Sequence, residues 1–161
     1  MTKILLAAAL PLLFAAACAT MPAPPTTAPG PDFLTRNAAA KRVTTTASGL
    51  QYFVVKSGPK TGVSPAASDT VSFDYEGKLT TGEVFDSSFA RGTPLTGPAD
   101  GFVPGFTEAL KLMRPGDEWI VWIPPALGYG ERATGTIPAN SVLRFRLALH
   151  SVTPVAAAAT Q

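Results

Sequence analysis

The 161-residue chain has little of what covalent and metal chemistry requires: one cysteine, Cys18, and one histidine, His150. A single cysteine closes no internal disulfide, and one of each builds no zinc site. A cysteine-protease pair would have to join Cys18 to His150, and Cys18 sits inside the leader-like start of the chain. Charge is also sparse. Only 15% of residues are charged, the formal net charge is +2, and no basic run occurs in the body, which points away from nucleic acid. Ile4 to Ala17 is apolar over about 14 residues, whereas a membrane-spanning helix takes about 20. No internal repeat is visible. Gly128-Tyr129-Gly130 has neither the lysine of a phosphate loop nor a dinucleotide-type helix start beside it.

What remains is 46% apolar, enough for a real core. Residues 1–17 read as an export signal: Lys3 supplies a short positive region, the apolar run follows, and small residues lead into Cys18. Ala15-Ala16-Ala17-Cys18 resembles a bacterial lipobox, which implies a diacylated Cys18 as the mature N-terminus. An ordinary secretory cut after Ala17 or Ala19 is the other reading. A lone thiol has little use in an oxidising compartment, which favours lipidation. Ala19 after the cysteine fits sorting to the outer membrane. Residues 18–47 are then the anchor and a tether rich in Pro, Ala and Thr, with Pro22, Pro24, Pro25, Pro29 and Pro31 favouring extended chain over a packed core. Within it, 32–42 has the makings of a short helix, too brief for a dimerising arm, so a monomer is expected. The tail, 154–161, is expected to fray.

The folded body is expected over 48–153. Leu50 to Lys56 is β-prone. Val71, Phe73 and Tyr75 alternate with Ser72, Asp74 and Glu76, giving one buried and one wet face. Trp119 to Ile123 forms a third strand, and Leu143, Phe145, Leu147 and Leu149 mark a fourth. Phe106, Ala109, Leu110 and Met113 fall at helical spacing, with Pro104 at the start and Arg114-Pro115-Gly116 as the stop. The fold class is therefore α+β: an antiparallel sheet of about five strands with one short helix packed on it. The loops at 91–104 and 124–138 are the natural places for a site. Taken by themselves, Tyr75, Phe85 and Phe145 read as core aromatics, Asp86 as a turn cap, Asp74 and Glu76 as solvated charges, and His150 as a surface residue.

Val71 to Phe89 runs Val-Ser-Phe-Asp-Tyr-Glu-Gly-Lys-Leu-Thr-Thr-Gly-Glu-Val-Phe-Asp-Ser-Ser-Phe. This stretch resembles the FKBP-type peptidyl-prolyl cis-trans isomerases. The resemblance continues through 102–110, 123–130 and 137–143, in order and in register over about 100 residues, and Ser48-Gly49-Leu50-Gln51-Tyr52 is similar to the start of the domain in bacterial envelope members. It implies a curled antiparallel sheet wrapped on a helix, and rotation of X-Pro bonds in exported proteins. It also implies a proline-binding cavity. Tyr75, Phe85, Asp86, Val103 and Tyr129 would carry catalysis, with the Val103 N–H and the Tyr129 hydroxyl holding substrate carbonyls. Phe102, Phe106, Leu95, Ile137 and Phe145 would bind the substrate. Phe106 would be the floor, where most of the family has Trp, and Leu95 stands where Phe is frequent. Both differences imply a wider pocket and weaker binding of macrolides such as tacrolimus. No cofactor and no metal are called for, because bond rotation breaks no covalent bond. The implied partners are unfolded, proline-containing exported polypeptides, and the implied location is the periplasm or outer membrane, held by lipid alone. The other reading of the same groove is a non-catalytic chaperone or peptide-binding module.

Overall fold

Alternation along two long segments sets the architecture. In the computed structural model, which describes residues 31–155, the strands β3 (Thr70–Leu79) and β7 (Leu143–Thr153) pair antiparallel along their length. Val71, Phe73, Tyr75 and Leu79 of β3, and Leu143, Phe145, Leu147 and Leu149 of β7, all turn to the same buried face. β6 (Glu118–Ile123) lies on the other side of β7, and β2 (Gln51–Lys56) lies beyond β6. These are the four strands that periodicity predicts. Three short ones complete a seven-stranded sheet: β1 (Thr44–Thr45), β4 (Val84–Ser87) and β5 (Leu95–Pro98). The order is β1-β2-β6-β7-β3-β4, with β5 also on β3.

One edge of β3 is shared. Residues 70–73 pair with β5 and residues 76–78 with β4, so the ladder is broken at Asp74 and Tyr75. The short helix α2 (Ser88–Arg91) sits at the break. Ser88, fully buried, supplies the missing acceptor: its Oγ lies 2.9 Å from the Tyr75 amide. A buried backbone N–H left without a partner would cost about 1–3 kcal/mol.

The helix α3 (Pro104–Leu112) packs on the concave face through Phe106, Ala109 and Leu110, and Met113 at its C-cap is also buried. Pro104 stands in the first turn, where its missing N–H is no loss. Gly105 is required by proximity: a Cβ there would come within 2.6 Å of Ile123 Cγ2 on β6.

The folded part starts upstream of the expected residue 48. α1 (Pro31–Ala38) and β1 dock on β2, and the reason is Gln51, which is buried and needs partners. Asn37 Nδ2 donates to Gln51 Oε1 at 2.8 Å, Gln51 Nε2 donates to the Leu34 carbonyl at 2.8 Å, and Arg42 covers the Phe53 ring. The short helix expected within 32–42 is therefore part of the domain and not of a free tether. At the other end, the Val155 amide donates to Asp69 Oδ1 at 3.0 Å. The expected leader, Cys18, the Pro-rich stretch before residue 31 and the tail after 155 lie outside the described residues.

The loop after β2 is pinned to the end of α3 by Asp117, whose two oxygens accept the Gly58 and Arg114 amides at 2.6 and 2.8 Å. The approach leaves no room for a side chain, since a Cβ on Gly58 would stand 2.1 Å from the Pro115 carbonyl oxygen. Gly58→Ala is expected to lower stability by about 1–3 kcal/mol, read from the urea midpoint. An unchanged midpoint would mean the loop is not held against α3.

Candidate functional site

The concave face closes around a cavity of about 470 Å³ at the N-terminal end of α3. Tyr75 comes from β3, Phe145 from β7, Phe85 and Asp86 from β4, and Leu95 from β5. Gly101, Phe102 and Val103 come from the loop before α3, Phe106 from its first turn, and Tyr129 from the loop after a 3₁₀ turn at Pro125–Leu127. Nine of the ten side chains predicted for the site therefore converge. Ile137 does not: it is buried in the core, closing a turn with Thr134, and it does not line the cavity. The turn folds its side chain inward, which sequence position alone does not reveal.

The floor is a cluster of rings. Phe106 lies 5.0 Å, centroid to centroid, from both Phe102 and Phe145, 5.4 Å from Phe73 and 6.2 Å from Tyr75. Its planes with Tyr75 and Phe145 are near perpendicular, the edge-to-face arrangement that aromatic quadrupoles favour. Phe85 and Phe145 meet edge to face at 5.5 Å over Gly77. A Cβ on Gly77 would lie 2.5 Å from the Phe85 ring and 2.8 Å from the Phe145 ring, so only glycine lets the two converge.

One rim is polar. The Tyr75 hydroxyl donates to Asp86 Oδ2 at 2.5 Å, and Arg91 donates to Asp86 Oδ1 and, at 2.8 Å, to the Tyr75 hydroxyl. Burial pushes the Asp86 carboxyl up, but the Tyr75 hydroxyl and the Arg91 guanidinium outweigh it and hold the group below the usual range. Burial, reinforced by the hydrogen bond to Asp86, raises Tyr75 above its ordinary value. At neutral pH the rim therefore holds a carboxylate, a neutral phenol and a guanidinium. Asp86 clamps the rim and does not cap the turn; Ser87 is the cap of α2, accepting the Ala90 amide. Tyr75 has committed its proton to Asp86. Among the residues that line the cavity, the Val103 N–H and the half-exposed Tyr129 hydroxyl have no hydrogen-bond acceptor among the described residues.

Sequence reasoning missed Arg91 and Gly101. Arg91 is five residues from Asp86, and only the turn of α2, capped by Ser87 and by Gly92 in the left-handed region, folds it back. Asp74 was expected to be solvated. It instead accepts Ser88 Oγ at 2.6 Å and meets His150 Nε2 at 2.8 Å, while His150 itself is on the surface as expected. Glu76 pairs with Lys78. Among the described residues no group of three or more His, Cys, Asp or Glu is placed to hold a metal ion, and no helix is long and apolar enough to cross a membrane.

A sheet curled over one short helix, with an aromatic hollow at the helix N-terminus, defines an FKBP-like domain. The crystal structure of FkpA from Escherichia coli has the same fold, with a TM-score of 0.72 and 41% identity, covering 76% of this chain and 57% of that one. The chain belongs to the FKBP-type peptidyl-prolyl cis-trans isomerase family, whose model matches residues 62–150. It is 44% identical over 128 residues to the FKBP-type peptidyl-prolyl cis-trans isomerase FkpA of Aeromonas hydrophila, covering 80% of this chain and 47% of that protein. It is 42% identical over 126 residues to the outer membrane protein MIP of Legionella longbeachae, covering 78% of this chain and 53% of that protein. The chain spans about half the length of these curated relatives.

The Ser88 hydrogen bond is the largest influence on Asp74. Burial opposes it, His150 adds to it, and the carboxyl ends below its ordinary value. A lowered folded value means that Asp74 contributes stability above its unfolded value and loses it as pH falls through the folded one. Asp74→Asn should therefore unfold at lower urea than the wild type near pH 7, with the gap closing below about pH 4. A gap that persists unchanged to about pH 3 would show that ionisation of Asp74 contributes nothing.

Proposed function

We propose that the chain is a peptidyl-prolyl cis-trans isomerase that speeds X-Pro rotation in polypeptides exported to the cell envelope. The observation that carries this reading is the convergence of Tyr75, Phe85, Phe106 and Phe145 on one apolar hollow, with Asp86, the Val103 N–H and Tyr129 at its rim. A prolyl amide loses resonance as it twists, against a barrier of roughly 18–20 kcal/mol. The planar amide is more polar than the twisted one. A ring-lined hollow that strips water from it favours the twisted form, which is the differential binding that catalysis requires. The Val103 N–H and the Tyr129 hydroxyl would hold carbonyls beside the rotating bond, so that one side stays fixed while the other turns. No step needs a nucleophile.

The assay is refolding of a proline-limited client. Phe85→Ala, Asp86→Ala and Tyr129→Phe should each lower kcat/KM by roughly ten-fold, about 1.4 kcal/mol of transition-state binding. Full activity in all three would remove these residues from the catalytic site, and a wild type that does not accelerate refolding would leave a peptide-binding module. Tacrolimus should inhibit weakly, since Phe106 offers a smaller floor than an indole, and Phe106→Trp should tighten it. Equal inhibition of both forms would remove Phe106 from the floor.

Placement in the envelope is supported by the export-type leader and by the relative named as an outer membrane protein. Lipidation of Cys18 would anchor the domain by burying acyl chains, at about 0.8 kcal/mol per methylene. Mass spectrometry of the mature N-terminus should find a diacylated Cys18. An unmodified N-terminus at Cys18 or Thr20 would mean a soluble exported form.

A further inference from the structure

A second cleft, of about 450 Å³, lies on the far side of the loop that carries Tyr129. Its walls are Leu34 of α1, Pro124, Pro125 and Ala126 of the 3₁₀ turn, and Gly130 and Asn140. Tyr129 lines the first cavity and its neighbour Gly130 lines the second, so consecutive residues of one loop border the two recesses. The dividing loop is cross-tied by backbone hydrogen bonds. The Pro125 carbonyl accepts the Gly128 and Gly130 amides, and the Gly130 carbonyl accepts the Asn140 amide at 2.7 Å. Asn140, which lines the cleft, has its backbone in the left-handed region at φ 58°, a conformation asparagine tolerates. Its carboxamide has no protein partner among the described residues, and so has a donor and an acceptor to offer a peptide backbone. The walls are apolar, with Glu131 the one charge at the edge.

We infer that this cleft is an extended subsite for the unfolded client, taking an apolar, non-acidic segment a few residues away from the proline held in the first cavity. The inference rests on the isomerase reading above. Its support is adjacency: consecutive residues Tyr129 and Gly130 border the two recesses, and three or four extended residues of a client span about 10–13 Å. The proline and leucine walls suit an extended apolar segment, the carboxamide suits its backbone, and Glu131 disfavours acidic residues. A tetrapeptide with X-Pro at its centre has one residue on either side of that pair, fewer than the three or four that this span takes. The docking of α1 through Gln51 is what supplies the Leu34 wall, so the segment before the matched family region contributes to client binding.

The test compares a proline-limited unfolded protein with an X-Pro tetrapeptide as substrates for the wild type, Ala126→Glu and Asn140→Gly. Ala126 is exposed, and glycine accepts the backbone angle of Asn140, so both variants should fold. For the protein client, KM should rise by about three- to ten-fold with kcat unchanged, while kcat/KM on the tetrapeptide stays at the wild-type value. An unchanged client KM in Ala126→Glu, or an equal loss on both substrates, overturns the inference. A wild-type chain that accelerates neither substrate overturns the isomerase reading and this one with it.

Discussion

The seat of Phe106 on the concave sheet is the contact that gives the cavity its shape. One ring at the first turn of α3 touches rings from β3, β7 and the preceding loop, and every other wall is placed relative to it. The seat depends on how closely α3 approaches β6, and Gly105 is the residue that permits that approach. Edge-to-face contacts among these rings have directional preferences, so the floor is a defined surface and not a loose apolar patch.

The rim is held by a different force. A break in the β3 edge ladder, bridged by Ser88, lets α2 turn back against the sheet, and α2 brings Arg91 onto Asp86 and Tyr75. The three groups satisfy one another, which allows a carboxylate to stand beside an apolar hollow. One consequence is chemical. Because the Tyr75 hydroxyl donates to Asp86, it serves as wall and spacer, while the Val103 N–H and the Tyr129 hydroxyl have no acceptor among the described residues.

The loop from Pro124 to Gly130 links this site to the N-terminal segment. It presents Tyr129 to one recess and Pro125 and Gly130 to another, and α1 closes the second. Gln51 secures α1 to the sheet: among the described residues, its buried carboxamide on β2 finds its partners in Leu34 and Asn37 of α1. A segment whose composition suggests a spacer is therefore drawn into the domain by the Gln51 carboxamide, by the β1–β2 pairing and by Arg42 over Phe53.

The sequence by itself determined β2, β3, β6, β7 and α3, because apolar period is a local property and these elements each bury one face. Through motifs in register, it also determined nine of the ten cavity residues and the family. It did not reveal β1, β4 and β5, which are two to four residues long and owe their existence to a neighbouring strand and not to their own pattern. Only the tertiary structure decided that Ile137 turns into the core, that Arg91 clamps Asp86, that Asp74 is tied to Ser88 and His150, and that α1 docks through Gln51. Each of these depends on groups far apart in the chain or folded back by a capped turn. Which partners a side chain meets there is set by the packing of the whole domain and leaves no periodic trace along the chain.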